Sequence, residues 1–416
     1  MVYVVMQHTL KILGKYDGWG QDSAGLPLWL SCLLWPLGAQ KSPGANGVAF
    51  FFVLSGFVAW LPCIDTPGFS ERALPTDGGL FRYWARRSNR ILPLYVVCFM
   101  VLSNTQDFWG GLMANDDTVA AGDAANSTNW WVDWALSVTL TSTFSKKYFY
   151  PATFGLLWAV GPIFWFSILF FPLWAILLKS DREAPISSAL WGVGFAVAIC
   201  TLVRVATKFP SMGLQVDETQ GAISDSPLGR IDDFVVGMAG AVFLRERVSH
   251  SAAWLAVAAG YISVSAYTYG TALAIVRGFD YDIYQFTGKW WLYSALLPPL
   301  RSVGFSCCVV GIHHALQGPL MTLPRFLCCT NHLFQSFGAM SYSVYLWHFL
   351  ALNAYFSGSP ANDFVGLEPT AWRLCFCFLF MALPLALVSY RYIEGGAFGN
   401  YPQASEDLAY LLNRPK

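Results

Sequence analysis

The sequence is poor in charge. Only 12% of its 416 residues are Asp, Glu, Lys or Arg, about half the share of an ordinary soluble domain. With 55% hydrophobic residues, that shortage excludes a conventional soluble globule and reads as a polytopic membrane protein. Neither sign is in excess: 25 basic and 25 acidic residues balance, so no attraction to nucleic acid follows. The ten cysteines show no metal-ligand spacing. Cys307-Cys308 and Cys375-x-Cys377 lie in apolar runs, where thiols behave as small hydrophobes. Cys328-Cys329 falls in a short loop, where palmitoylation is an option. A cleavable signal, G-x-S-x-G, H-E-x-x-H and a P-loop are all missing, which removes the commonest hydrolase, metalloprotease and nucleotidase signatures. Internal repeats, low-complexity tracts and a separate soluble domain are missing too.

What is abundant is apolar sequence. A crossing helix needs roughly 20 apolar residues. Runs of that kind occupy 1–14, 44–63, 90–106, 154–178, 187–207, 229–245, 252–276, 290–316, 334–356 and 371–391. The expected fold is therefore all-α, a transmembrane helix bundle of ten spans forming one domain over 1–396, with a short cytoplasmic tail at 397–416. The stretch 130–145, WWVDWALSVTLTSTFS, is assigned to the interface, since a crossing there makes eleven. Eighteen Trp and nineteen Tyr suit interfacial belts or packing between helices. With both termini in the cytoplasm, the loop 64–89 bearing Arg72, Arg82, Arg86 and Arg87 is cytoplasmic, as basic loops generally are. Asp107, Asp116, Asp117, Asp217 and Asp280 fall on the other side, while Lys146, Lys147 and Lys208 run against the trend. The outer loop 107–129 carries an N-glycosylation pattern at Asn126.

The first run holds His8. An imidazole among apolar residues is costly and often functional, and it can act as a general base near neutral pH. The plainer alternative is a histidine bonded to a neighbouring helix or sitting at a frayed end. A helix over 1–14 spans about 21 Å, too short for the bilayer, so it is either tilted and incomplete or has lost its start.

Ser55-Gly56 interrupts GVAFFFVLSGFVAWLP. Such small residues let a second helix, or a ligand, approach the backbone. Soon after, Arg82, Arg86, Arg87 and Arg90 crowd together. Topology-setting charge explains some of them. At four-residue spacing Arg82, Arg86 and Arg90 share a helix face, which suits a polyphosphate ligand bound by guanidinium forks. Pro93 is expected just inside the following span, near its start. Other polar groups in or beside apolar runs are Arg230 with Asp232 or Asp233, His313-His314 (read as interfacial), His348, Arg373 and Glu394. Charges like Arg230 and its aspartates commonly neutralise one another.

In their order along the chain these features resemble the acyltransferase 3 family of integral-membrane acyltransferases. His8 is similar to the family's first-helix histidine. FFFVLSGF, with Phe51, Phe52, Ser55 and Gly56, resembles its F-F-x-x-S-G signature. FRYWARRSNRILPLY resembles the R-x-x-R segment, with Arg87 and Arg90 in place. LGRIDDFVVGM resembles an R-x-x-E-F-x-x-G element, with Asp233 standing for Glu. SYSVYLWHF and YRYIE look like the closing two helices.

The resemblance implies transfer of an acyl group, commonly acetyl, from acyl-CoA to a hydroxyl of a glycan, lipid or natural product, with no metal. It implies His8 as base, and Arg86, Arg87 and Arg90 as holders of the CoA phosphates. Phe51, Phe52, Ser55 and Gly56 would flank the pantetheine arm or the His8 helix. Trp158, Arg230, Asp233, His348 and Glu394 are further polar or aromatic members of the pattern.

Three departures stand out. The family arginine ten residues before the histidine would precede Met1. Trp158 is kept from a Trp-Ser-x-x-x-Glu element, but Ile163 occupies the glutamate position. Gly395-Gly396 replaces the proline after the last Glu. The first suggests a truncated start, and the second bears on acceptor binding or activity. Two other readings therefore stand beside the enzyme: a membrane carrier or flippase, and a degenerate non-catalytic family member.

Overall fold

The computed structural model describes residues 43–65, 79–104, 130–144, 157–177, 185–206, 226–244, 246, 248–276, 291–317, 338, 340–356 and 376–394. Among them every regular element is helical. Along the chain these are α1 Pro43–Asp65, α2 Gly79–Asn104, α3 Trp130–Val138, α4 Val160–Leu177, α5 Pro185–Ala206, α6 Pro227–Phe243, α7 His250–Val276, α8 Trp291–Ala315, α9 Ser341–Phe356 and α10 Leu383–Ser389. Single π turns at Phe378–Ala382 and Tyr390–Glu394 bracket α10.

The run 1–14 lies outside the described residues; the other expected runs overlap these helices, with differences that have local causes. The basic stretch is not a loop. Helix α2 starts at Gly79 and carries the arginines in its first turns, because GLFRYWARRSNR contains no breaker after the glycine and is rich in good helix formers. Pro93 consequently lies inside the helix rather than near its start. It withholds an N–H from the carbonyl of Asn89, a residue on the exposed side. The stretch 130–145 splits into nine-residue α3 and a 3-10 turn at Thr141–Phe144. Nine residues span about 14 Å, too little to cross as one helix. Buried Leu140 ends α3 at a positive φ of 58°, in the place a glycine usually takes, and its carbonyl accepts a hydrogen bond from Trp165 Nε1 at 2.9 Å. At the C-terminal end Pro384 has no N–H for the carbonyl of Phe380. The wide turn just before it, closed by Leu383 N–H on the Phe378 carbonyl, absorbs the change of register.

Helix α6 is the centre of the arrangement, with neighbours α1, α4, α5 and α8. Fourteen of its 17 residues are buried, with Leu228 near its start the exposed one. Its start is marked in sequence: Ser226 caps the Gly229 N–H at 3.4 Å, and Pro227 takes the first turn, where a missing N–H costs nothing. Helices α7 and α8 pack along their length. They close to backbone contact where Gly260 and Gly304 face each other, a Cβ on Gly304 standing 2.8 Å from the Gly260 carbonyl. His314 is buried against the end of α6 and donates to the Phe243 carbonyl at 3.3 Å. Cys98, Cys200 and Cys377 are buried free thiols.

By length and composition one described helix, Ile186–Ala206 within α5, is long and apolar enough to cross a membrane. Asn46–Leu61, Val160–Leu169 and Phe378–Ile393 are shorter apolar helices.

Candidate functional site

Gly56 lies at the crossing of α1 and α6, and the contact is reciprocal. A Cβ on Gly56 would overlap the Phe234 carbonyl and stand 3.2 Å from Met238 N, and one on Gly237 would overlap the Val53 carbonyl and stand 3.0 Å from Phe57 N. Only glycine at both positions lets the two backbones touch. Of the two uses the sequence allowed for the Ser-Gly break, helix packing is the one this geometry displays. Ser55 is half-buried beside it.

Phe52 is fully buried in a cluster of rings. It meets Trp158 edge-on at 6.3 Å and Phe166 at 5.3 Å, and Phe166 stacks on Phe234 at 5.2 Å. Edge and offset geometries are those that ring quadrupoles favour. Phe51, the next signature residue, is half-buried and meets Tyr345 of α9 at 6.3 Å. Ile163, at the position of the family glutamate, packs against the same apolar core.

Helix α2 meets the closing segments. Tyr342 donates to the Ile91 carbonyl at 2.9 Å, next to Arg90, and the turn Tyr390–Glu394 packs on the same helix. Trp84 donates to the Ile168 carbonyl of α4 at 3.1 Å. Arg87 and Arg90 are half-buried, and the Arg87 guanidinium lies 5.7 Å over the Tyr83 ring. That contact orients a cation without consuming its hydrogen-bond donors. His348 is buried on α9, its Nδ1–H given to the Tyr345 carbonyl one turn back. Trp347 beside it donates to Ser389 Oγ at 2.6 Å and ties α9 to α10. His8 lies outside the described residues, as do the side chains of Arg86 and Glu394.

The third feature is a buried ionic cluster. Asp233, with no exposed surface, faces Arg230 at 3.3 Å and Arg301 at 3.9 Å, and accepts a hydrogen bond from Ser302 Oγ. Arg301 also donates to the Tyr267 hydroxyl at 3.2 Å and lies 4.6 Å over that ring. The sequence left Asp232 and Asp233 as alternative partners of Arg230, and the structure pairs it with Asp233. Asp232 pairs with Arg204 of α5 at 2.8 Å, and Arg204 also donates to the Gly229 carbonyl at 2.7 Å. Arg204, Tyr267, Arg301 and Ser302 escaped the sequence reading. The signal was present: both arginines interrupt apolar runs, and a charge in such a run needs a partner.

Signature residues of α1, α6 and α9, with Trp158 just before α4 and the arginine helix α2, are thus joined by direct contacts: Phe52 to Trp158, Phe51 to Tyr345, Tyr342 to the Ile91 carbonyl, and Gly56 to Phe234. The described residues contain no group of three or more His, Cys, Asp and Glu able to hold a metal ion. A family model described as an acyltransferase domain matches residues 1–390 of the chain. No curated protein and no solved structure matches it.

Proposed function

The chain belongs to the acyltransferase 3 family of membrane-embedded acyltransferases, and from that premise we propose that it moves an acyl group, here acetyl, from acyl-CoA to a hydroxyl of a glycan, lipid or small-molecule acceptor. The observation that carries this reading is the contact between the arginine helix α2 and the closing helices, Tyr342 on Ile91 and Tyr390–Glu394 on α2. Two half-buried guanidiniums beside that junction suit the CoA phosphates, since guanidinium pairs with phosphate through charge-assisted, often bidentate hydrogen bonds.

The reaction assigns each group one task. The acceptor oxygen attacks the thioester carbonyl as His8 removes its proton, so a C–O bond forms. The C–S bond breaks, and the thiolate leaves and recovers the proton from the imidazolium. Arg87 and Arg90, with Arg86, hold the phosphates throughout and take no part in proton transfer. Apolar surface on α5 (Leu190, Trp191, Phe195, Leu202) and α7 (Trp254, Leu255, Ile262) is exposed, which suits lipid rather than water. In this reading the bundle crosses ten times with both termini and the CoA arginines on the cytoplasmic side.

The decisive assay incubates the full chain in lipid nanodiscs with acetyl-labelled acetyl-CoA and a panel of glycan, lipid and small-molecule hydroxyl acceptors. Label in an ester product supports the reading. Acetyl-CoA binding with no ester formed favours the degenerate member. Acceptor movement across vesicles without any acyl-CoA favours a carrier.

A further inference from the structure

We propose that Arg301, with Ser302, is a positioning residue of the acyl-transfer site, acting through Asp233 to hold α6 against α1; this rests on the acyltransferase reading. The path is a chain of direct contacts. Arg301 and Ser302 are neighbours on α8 and converge on one carboxylate. Ser302 is itself fixed by a second hydrogen bond, to the Pro298 carbonyl at 3.1 Å. Asp233 adjoins Phe234, whose carbonyl abuts Gly56 and whose ring stacks on Phe166. Phe166 in turn meets Phe52. The carboxylate is therefore one residue from the contact that sets where the F-F-x-x-S-G helix lies.

Burial makes this contact directional. Arg301 and Ser302 show no exposed surface and Asp233 none, so water cannot substitute for a lost partner. A buried carboxylate keeps its place only while its partners do. Arg301 cannot drift either, because its charge is taken up by Tyr267, through the hydroxyl and the ring face. Arg230 alone does not serve this purpose: it sits on the same helix as Asp233, at i and i+3, and neutralises charge without linking two helices. Arg204 links α5 to α6 through Asp232, one residue further from Phe234 along the chain than Asp233 is. Ser306 Oγ on the Val236 carbonyl at 3.3 Å and Phe305 against Phe50 at 5.1 Å also join α8 to α6 and α1, but Arg301 and Ser302 are the α8 residues that hold the carboxylate next to Phe234.

The test compares Arg301→Gln, Arg301→Lys, Asp233→Asn, Asp233→Glu and the double variant Arg301→Gln/Asp233→Asn in nanodiscs. Three readouts are needed: acetyl-CoA affinity by calorimetry, acetyl transfer at saturating acetyl-CoA, and hydrogen exchange of peptides covering Phe50–Phe57. Arg301→Gln and Asp233→Asn are each expected to lower kcat at least tenfold, with acetyl-CoA affinity changed less than twofold and exchange in the α1 peptide raised. Arg301→Lys and Asp233→Glu, which keep the charges, recover most of the rate. The double variant is no slower than the worse single one, since both remove the same link. Unchanged exchange at Phe50–Phe57 in Arg301→Gln overturns the proposal whatever the turnover. So does a double variant whose loss is the product of the two single losses. Absence of transfer in the unmodified chain counts against the acyltransferase reading alone, because the exchange measurement still decides whether Arg301 positions α1. Should Arg301→Gln not fold, Ser302→Ala, which removes one hydrogen bond and little volume, carries the same exchange test.

Discussion

Gly56 and Gly237 both lie where α1 and α6 touch: the Phe234 carbonyl occupies the place of a Cβ on Gly56, and the Val53 carbonyl that of a Cβ on Gly237. The crossing joins the family signature on α1 to the charged element on α6.

Enlarging either glycine separates the helices. Gly56→Ala and Gly237→Ala are each expected to destabilise the protein by about 1 to 3 kcal/mol, the usual cost of overpacking. Gly194→Ala on α5 is the control, because a Cβ there meets nothing within 4 Å, and it should be neutral or mildly stabilising through helix propensity. Thermal melting in one detergent ranks the three, and equal melting temperatures for all would contradict the crossing.

The Arg204–Asp232 pair, at 2.8 Å with neither side chain appreciably exposed, makes a different prediction. Arg204→Gln alone leaves Asp232 charged and buried and should cost about 3 to 5 kcal/mol, whereas Arg204→Met combined with Asp232→Leu should cost far less. The comparison is read from denaturation midpoints. A double variant as unstable as the single one would show that the pair does more than neutralise itself.

Arg87→Ala with Arg90→Ala should weaken acetyl-CoA binding. Each lost charge-assisted hydrogen bond is worth about 1.5 to 3 kcal/mol, so the pair predicts a fall of roughly two orders of magnitude or more. Calorimetry in nanodiscs measures it directly, and an unaltered Kd removes the phosphate-holding role.

His8→Ala should abolish transfer while leaving expression and membrane localisation intact. General-base catalysis contributes about 100- to 10,000-fold, so residual turnover should sit near the limit of a labelled-acetate assay. Normal turnover in this variant would refute His8 as base.

Much of this architecture was legible along the chain. The apolar runs found α1 and α4 to α10 within a few residues at most ends, because hydrophobic length is a local property. The start of α2 was less visible: its first turns are polar, and hydropathy sees the helix only where it becomes apolar. The site was half legible. Phe52, Gly56, Arg87 and Asp233 stood out through the resemblance to the family's motifs in their order. Arg301 and Ser302 did not, because what makes them matter is a carboxylate on another helix. Ser302 and Asp233 are 69 positions apart, and no periodicity carries information over that distance. The reciprocal glycine contact was hidden for the same reason. A small residue in a run leaves room for something to approach, and only the fold says what.

The burial of α6 also bears on how the chain is made. Within 17 residues it carries Arg230, Asp232 and Asp233, and each such charge costs about 2.5 to 3.5 kcal/mol at the middle of a bilayer on insertion scales. As α6 leaves the ribosome, Arg204 already exists on α5, but Arg301 and Ser302 have not yet been synthesised. A nascent α6 is therefore a poor lodger in lipid by itself. In the ten-span reading Arg204 and Arg230 balance the two aspartates early, and the final seating of α6 is expected only once α8 brings Arg301 and Ser302 to Asp233.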